Sequence, residues 1–495
     1  MFNNHSGMNR DEKIVLKMVL TIFRVRWTFA ETVESGDWKR LMNGRLNHQK
    51  TLYLCIIGLA IAARLGAVWI LLNGSAADIY TYEHGEIARN LCAGKGFSVE
   101  LLGTWGVTSQ QAPLVPYLLA GCYGLMGVGT AAAHWLFLGI QSVQGGVMAA
   151  GTMALASRVI GKPKWTLFTG LMVAIYPTLV YSATHVQVVS TATMLLVCLF
   201  VALFDLRQSP TKRNAIHAGL IMGLMTLTDP ILALAGVGTT LAWLIFDRPE
   251  MQSQRVELIK AWAVLVLVSV LTISPWIVRN AVVHGRFVFI KSTFGYAFWQ
   301  GNNKLSVGTD KVMRDSVKTA LADTSLSMNE RLWMARHEAG CVDDIALTKM
   351  DKLELGQLPE VERSAELFRR VRQDLSDEPG RYLELCLRRL RFFLWVDESN
   401  PKTAVLYYRI PHISLTIFSL MGLIVMDGGM RRRLAMVMIA FLLTTIFHAL
   451  TITAPRFHLP WEPLMMIWAV AGASSLCVTN RDAILKAGMV VPQNA

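Results

Sequence analysis

Charge is scarce in this sequence. Asp, Glu, Lys and Arg together make up 17% of its 495 residues, against about a quarter in an ordinary soluble protein. That shortage excludes a conventional soluble globular chain, and hydrophobic residues at 53% with a mean hydropathy of +0.39 say why. Cysteine is sparse too: the seven are scattered, mostly within apolar runs, with no Cys-x-x-Cys pair and no zinc-ligand spacing. Cys341 and Cys386, which share the one large polar stretch, would pair if that stretch faces an oxidising compartment. There is no internal repeat and no pair of broken apolar segments of the transporter kind. A cleavable signal peptide is not expected, because residues 1–50 are too long and too polar, and the first apolar span follows them.

What charge there is has a pattern. The net charge is +13, but the basic residues gather at the ends of apolar segments: Arg207, Lys212 and Arg213 in one loop, Arg431, Arg432 and Arg433 in another. Such a chain is oriented against anionic lipid, so membrane lipids and not nucleic acid are the expected partners. Within 13–30, apolar residues interleave with Lys17, Arg24 and Arg26, which predicts an amphipathic helix on the cytoplasmic leaflet.

Eleven stretches approach the roughly 20 apolar residues of a bilayer crossing. They are 51–72, 113–128, 133–156, 165–181, 186–206, 215–227, 231–246, 261–278, 405–426, 434–451 and 459–477. They predict an all-α polytopic membrane protein with a bundle of about eleven transmembrane helices. Two insertions interrupt them, a first loop at 73–112 and a longer one at 279–402. Residues 301–400 hold 18 of the 35 acidic and 16 of the 48 basic residues, a density that cannot lie in lipid. This insert is expected to be soluble and mostly helical. The chain thus divides into an N-terminal segment (1–50), a transmembrane module (51–278), the insert (279–402), the last membrane helices (403–478) and a tail (479–495).

Placing the basic loops 207–214, 248–260 and 427–433 in the cytoplasm puts the insert and 453–460 outside, in a multi-pass inner (plasma) membrane protein. The N-terminus and the tail belong inside, so 73–112 is outside as well. If every stretch crosses, however, 207–214 falls on the wrong side. One segment within 113–206 must be half-length, and 113–128, short and carrying two prolines, is the candidate.

The richest chemistry lies in 78–100. Asp78, Glu83 and Glu86 are three acids within nine residues, and helical spacing puts Glu83, Glu86 and Arg89 or Asn90 on one side. Gly94 and Gly96 end that helix and hold Lys95 between them. Read from spacing alone, this is either an interfacial helix with solvated charges or an active site. Arg64, inside the first span, is costly in lipid unless it pairs or faces a cavity. Arg456 sits in a short outer loop between Pro455 and Pro460, where it either snorkels to headgroups or binds an anion. Asp229, before Pro230, is a helix cap or a metal or substrate contact.

Several strings carry a resemblance. Tyr82-Glu83-His84-Gly85-Glu86-Ile87-Ala88-Arg89-Asn90-Leu91, then Gly94-Lys95-Gly96-Phe97-Ser98, then Gln111-Ala112-Pro113-Leu114-Val115-Pro116-Tyr117-Leu118 resemble the first-loop region of GT-C membrane glycosyltransferases. The nearest groups are the protein-mannosyltransferase-like and aminoarabinose-transferase-like families. The resemblance continues at Ser274-Pro275-Trp276-Ile277-Val278-Arg279-Asn280, at Gly295, Trp299, Gly301, Asn302 and Asn303, and at Arg456-Phe457-His458-Leu459-Pro460. Together these frame residues 51–478.

The resemblance implies a GT-C bundle and a polyprenyl-phosphate-linked sugar as donor. It implies a first-loop acid as catalytic base and basic residues at the donor phosphate. Asp78, Glu83 or Glu86 would be the base. Asp78 and Tyr82 match the Asp and Tyr of many members, although their spacing to Ala88 is longer than usual. Glu83 matches the Tyr-Glu-x-Gly position of a subgroup. Arg456, Lys95, Arg89 and His458 would bind phosphate, while Tyr82, Gln111, Arg279, Asn280, Trp299, Asn302 and Asn303 would position substrate. The family is divided on a divalent metal, for which Asp78, Glu83 and Asp229 are the candidates. The activity implied is transfer of one sugar, with inversion, to a lipid, glycan or protein hydroxyl. The alternatives are an oligosaccharide ligase using a diphosphate-linked glycan and a lipid or solute transporter.

Overall fold

The computed structural model describes residues 36–488 apart from 73, 75, 77, 78, 102, 103, 247–251, 312, 313 and 341–345. The expected amphipathic helix at 13–30, Asp78 and Cys341 therefore lie outside the described residues. Cys386 accepts a hydrogen bond from Arg389 at 3.4 Å.

All eleven apolar stretches fall on helix. Helix α1 (Gly36–Leu71) leads into the first loop, which holds α2 (Tyr82–Cys92) and a hairpin of β1 (Ser98–Leu101) and β2 (Thr104–Val107). Next come α3 (Leu114–Met126), α4 (Ala131–Ile160), α5 (Pro163–Ile175), α6 (Pro177–Ser182) and α7 (Val189–Gln208). Helices α8 (Lys212–Thr226), α9 (Leu234–Phe246) and α10 (Gln252–His284) complete the first module. The insert is helical, as its composition predicts: α11 (Phe294–Asn302), α12 (Asp315–Ala322), α13 (Met328–Gly340), α14 (Lys349–Gln357), α15 (Glu360–Asp377) and α16 (Pro379–Leu394). The chain closes with α17 (Leu406–Val425), α18 (Gly428–Leu450), α19 (Pro455–His458) and α20 (Glu462–Gly488).

Among the described residues, five segments are long and apolar enough to cross a membrane: Gln49–Leu71, Val189–Gln208, Arg255–His284, Leu406–Val425 and Gly428–Leu450. Large apolar side chains cover the outside of the bundle, with Leu54, Ile70, Leu244, Val282 and Ile424 between 67% and 79% exposed. Lipid, not water, suits such a surface.

Contacts sort the loops into two ends. At one end Arg158 grips Asp205 with two bonds of 2.9 and 3.0 Å, Arg433 donates to the Val159 carbonyl, and Arg432 donates to the Phe246 carbonyl. The loops near 160, 207–214, 246 and 427–433 thus lie together. The first loop, the insert and the turn around Arg456 gather at the other end. Both ends of α3 belong there: the Leu114 N–H donates to the Leu227 carbonyl, and Tyr123 meets His134, whose Nδ1 lies 2.7 Å from the Ala76 carbonyl. With 13 residues, α3 is only about 20 Å long. A helix of that length, with both ends at one end of the bundle, has the geometry of a half-length segment.

Arg64 belongs to the packing. Pro177 has no N–H, so the Val173 carbonyl one turn earlier loses its helical partner where α5 breaks into α6. Arg64 is 1% exposed and donates to the carbonyls of Ala174 at 2.9 Å, Val173 at 3.5 Å and Ala60 at 3.0 Å. A Cβ on Gly145 would stand 2.0 Å from its Nε, so the glycine leaves the room the guanidinium needs.

Two polar knots dock the insert. Glu360 accepts hydrogen bonds from the Thr108 hydroxyl, the Ser109 N–H at 2.8 Å and the Ser292 hydroxyl at 2.5 Å. Arg389, with no exposed surface, donates to the carbonyls of Ala449 at 2.7 Å and Gly301 at 2.9 Å and to the Asn302 amide oxygen at 3.0 Å.

Replacing Arg64 with Met should destabilise the chain by about 3 kcal/mol, because buried carbonyls are left unsatisfied. Unfolding of the purified protein in detergent measures this, and an unchanged midpoint would mean the carbonyls find other donors. Glu360→Ala should loosen the first loop without unfolding the bundle. Hydrogen exchange is the check, with faster exchange expected over 97–112 and none of comparable size in α7.

Candidate active site

Helix α2 is set up by its ends. Gly85 packs so tightly on Thr81 that a Cβ would lie 1.8 Å from the hydroxyl oxygen. After Cys92 the chain turns through Gly94 at φ +73° and Gly96 at φ +72°, a conformation that side chains with a Cβ resist. Glu86 accepts the Glu100 N–H at 2.7 Å and the Asn90 amide donates to the Ser98 carbonyl at 2.9 Å, pinning the hairpin to the helix. With those two engaged, Glu83 and His84 stand close enough to Lys291 for their charges to interact.

Lys291 opens a cluster of charges at this end of the bundle. Its Nζ donates to the Gln111 side chain at 3.5 Å, and it feels Asp229, Arg456 and Glu83. Arg456 pairs with Asp310 at 3.3 Å while its side chain remains 45% exposed. Arg336 donates to the Tyr82 hydroxyl at 2.6 Å, and Lys402 sits 4.9 Å from the centre of the Tyr181 ring. Lys291, Lys311, Lys402, Arg336 and Arg456 face Glu83, Asp229, Asp310 and the neighbouring Asp397, so positive charge is in slight surplus.

The surplus shows in the titrating groups. Burial and the positive charges of Arg336, Arg456 and Lys311 hold Lys402 well below the ordinary lysine range. Burial lowers Lys291 as well, against the pull of Asp229. Burial works to raise Asp310, but Lys311 and Arg456 outweigh it and keep the carboxylate below its usual range. Asp229 is raised by burial despite Lys291. His84, pushed down to about 4 by burial, is neutral at pH 7, and its Nδ1 has no hydrogen-bond partner. Lysines depressed by burial and by neighbouring cations are groups whose charged form an incoming anion would stabilise.

Beside the cluster lies a cavity of about 550 Å³. Leu71, Leu72 and Ile79 make its apolar side, and Tyr181, Thr184, His185, Glu330 and Glu338 its polar side. Tyr80 stacks on Trp333 of the insert at 3.7 Å and closes one wall.

The residues singled out from sequence divide into two groups. Glu83, Tyr82, Gln111, Asp229 and Arg456 come together in or beside the cluster. The others are engaged elsewhere. Arg279 donates to the Thr108 carbonyl at 2.7 Å and the Ser109 hydroxyl at 2.9 Å, with its guanidinium 4.7 Å from the Trp276 ring. Asn280 is fully buried and accepts from Ser109 at 2.7 Å. Trp299 is buried in the core of the insert. Asn302 donates to the Thr451 carbonyl at 2.9 Å, and the Asn303 carbonyl accepts from Arg381. Arg89 reaches the Thr81 hydroxyl, Lys95 is exposed in its turn, and His458 is buried beneath Arg456 against His412 and Glu462. Lys291, Arg336, Asp310, Lys311 and Lys402 were not among the sequence candidates. Lys291 alone carried a local signal, as a single lysine after the apolar run Phe287-Val288-Phe289-Ile290.

A metal does not suit Glu83 and Asp229. Their charged neighbours are Lys291 and Arg456, which would repel a divalent cation. Among the described residues the first-loop acids join no group of three metal-ligating side chains.

No protein-family model matches the chain, and no curated protein matches its sequence. Solved structures do match in fold. The archaeal oligosaccharyltransferase AglB from Archaeoglobus fulgidus, solved with an inhibitory peptide and a dolichol-phosphate, aligns at TM-score 0.50 and 13% identity over 90% of this chain. The alignment covers 53% of AglB, so the chain spans about half the length of that enzyme. ArnT from Cupriavidus metallidurans, bound to undecaprenyl phosphate, aligns at TM-score 0.39 and 15% identity over 85% of this chain and 77% of ArnT. With its apolar bundle and with loop and insert docked at one end, this chain is an all-α polytopic membrane protein that shares the fold of AglB.

Proposed function

We propose that this chain is a glycosyltransferase that moves a sugar from a polyprenyl-phosphate carrier to a hydroxyl of a lipid, glycan or protein. The observation that carries the proposal is the surplus of half-buried cations beside the 550 Å³ cavity. A pocket of that volume accommodates a small polar headgroup, and clustered Lys and Arg neutralise phosphate. The membrane bundle leaves the carrier's tail in lipid. The GT-C fold supports the same reading, and AglB, which has it, was solved with a dolichol-phosphate.

In this reading the acceptor oxygen attacks the anomeric carbon from the face opposite the phosphate. The C–O bond to the acceptor forms as the C–O bond to phosphate breaks, which inverts the configuration. The phosphate departs with the bonding pair, and Arg456 and Lys291 offset the charge that develops on it. The acceptor proton passes to a first-loop carboxylate, Asp78 or Glu83. No step requires a metal. The cluster end faces out of the cytoplasm of a plasma or inner membrane, opposite the basic loops.

A second reading, transfer of a whole oligosaccharide from a diphosphate carrier, draws on the likeness to AglB and on the number of cations. Purified protein incubated with radiolabelled polyprenyl-phosphate sugars and a membrane extract separates the two. Label moving from the monophosphate carrier supports the proposal, label moving only from a diphosphate-linked glycan favours the second, and no transfer from either overturns both.

Arg456→Ala should weaken donor binding and remove most activity, while Arg456→Lys keeps part, since charge survives but the two-pronged geometry does not. Donor affinity and turnover equal to wild type in Arg456→Ala would reduce the residue to a headgroup contact. For the base, Asp78→Asn should lower turnover by about 100-fold or more with donor binding little changed, and Glu83→Gln should be milder. The reverse ranking would transfer the role to Glu83, whereas full activity in both variants would reject a first-loop base.

A further inference from the structure

Below the turn that carries Arg456, three side chains converge that sugar transfer does not use. Glu462 begins α20 and has no exposed surface. Its Oε2 accepts the Thr178 hydroxyl, while its Oε1 has no hydrogen-bond partner. His458 lies one turn before it and His412 comes across from α17, each placing Nδ1 3.5 Å from Oε1. The two imidazoles stand edge to face with centres 4.4 Å apart. His412 is 7% exposed and His458 is 2% exposed, and Nδ1 of His412 has no hydrogen-bond partner.

The spacing discriminates between a proton and an ion. An imidazolium donating to a carboxylate closes to about 2.8 Å, and neither histidine does so. Zinc holds nitrogen and oxygen ligands at about 2.0–2.1 Å in a tetrahedron, which sets the ligand atoms about 3.3 Å from one another. Both nitrogen-to-oxygen distances sit close to that edge length. Charge argues the same way. A carboxylate sealed from water with one hydroxyl donor is costly to bury, and a divalent ion shared with two neutral imidazoles removes the cost. A cavity of about 10 Å³, lined by His412, His458, Asp397 and Tyr408, has about the space of one water. It leaves room beside the two imidazoles for a water.

We infer that His412, His458 and Glu462 form a binding site for a divalent transition-metal ion, zinc foremost, which fastens α17 to the turn bearing Arg456. Two imidazoles and a carboxylate suit zinc over the hard cations magnesium and calcium. The ion has a structural role, since the site lies beneath the charged cluster and apart from Glu83 and Asp229.

The test uses the full chain, purified in detergent without chelator and dialysed. Elemental analysis should find about one zinc per chain, as a closed protein site retains its ion. His412→Gln and Glu462→Gln should lower that content about tenfold or more while eluting as the same single species. Cobalt(II) loaded in place of zinc should give the intense visible bands of a tetrahedral site in the wild type and not in the variants. Zinc near background in the wild type, both as purified and after incubation with excess zinc, would overturn the inference and leave a buried pair of histidines sharing a proton with Glu462. Equal zinc in wild type and variants would also overturn it, by locating the ion elsewhere. If neither variant folds, the cobalt spectrum of the wild type decides, with tetrahedral bands in support and a weak octahedral spectrum against.

Discussion

A backbone group released from a helix inside this bundle has no water to turn to, and an unsatisfied carbonyl or amide there costs free energy on the scale of the whole fold's stability. Helices break or end repeatedly at the end that carries the charged cluster, and side chains close the breaks. Arg64 takes the carbonyls freed where α5 gives way to α6. Asp229 accepts the Ile231 N–H where α8 hands over to the turn before α9. Arg389 and Asn302 take the carbonyls of Ala449 and Thr451 where α18 ends. The irregular backbone that presents polar residues at this surface exists because buried charged and amide groups satisfy it from within.

The same constraint explains how a basic site survives at an apolar surface. Lys291 and Lys402 are buried enough to be depressed by desolvation, and Arg456 adds repulsion to both. Folding concentrates positive charge against its own preference. It tolerates this because Asp310, Asp229 and Glu83 offset part of it and because Arg456 keeps nearly half of its side chain open. An anion arriving from the cavity would relieve what remains.

Much of the fold was legible in sequence because membrane crossing writes a strong local signal. Each apolar stretch became helix, the polar insert became a helical domain, and Gly94 and Gly96 ended α2 with positive φ as the turn required. The short, proline-bearing stretch at 113–128 forms a helix of 13 residues with both ends at the same end of the bundle. The site was legible only where its residues are close in sequence. Glu83 and Tyr82 were visible in one loop, but Lys291, Arg336, Asp310 and Lys402 reach it from segments more than 100 residues away. In a charged insert an arginine such as Arg336 looks like any solvated one until α13 docks on Tyr80 and Tyr82. Conversely, Asn302, Asn303 and Arg279 resemble substrate contacts by position. Arg279 donates to the Thr108 carbonyl and Ser109, Asn302 donates to the Thr451 carbonyl and accepts from Arg389, and the Asn303 carbonyl accepts from Arg381, all of which are contacts that dock the loop and the insert.

Arg456 stands where three elements must agree. From the insert, Asp310 pairs with it and Thr309 bridges to Thr453, three residues before it. From the bundle, His458 locks the turn against α17 and Glu462. From the other side of the cluster, Lys291 arrives only because Glu360 ties Ser292 and the first loop together. The spacing of these cations is therefore set by how the insert docks, as is the cavity wall that Trp333 and Met334 of α13 supply opposite Leu71 and Leu72. An anion bound there as proposed would couple its affinity to docking of the insert, tightening the contact that creates its site.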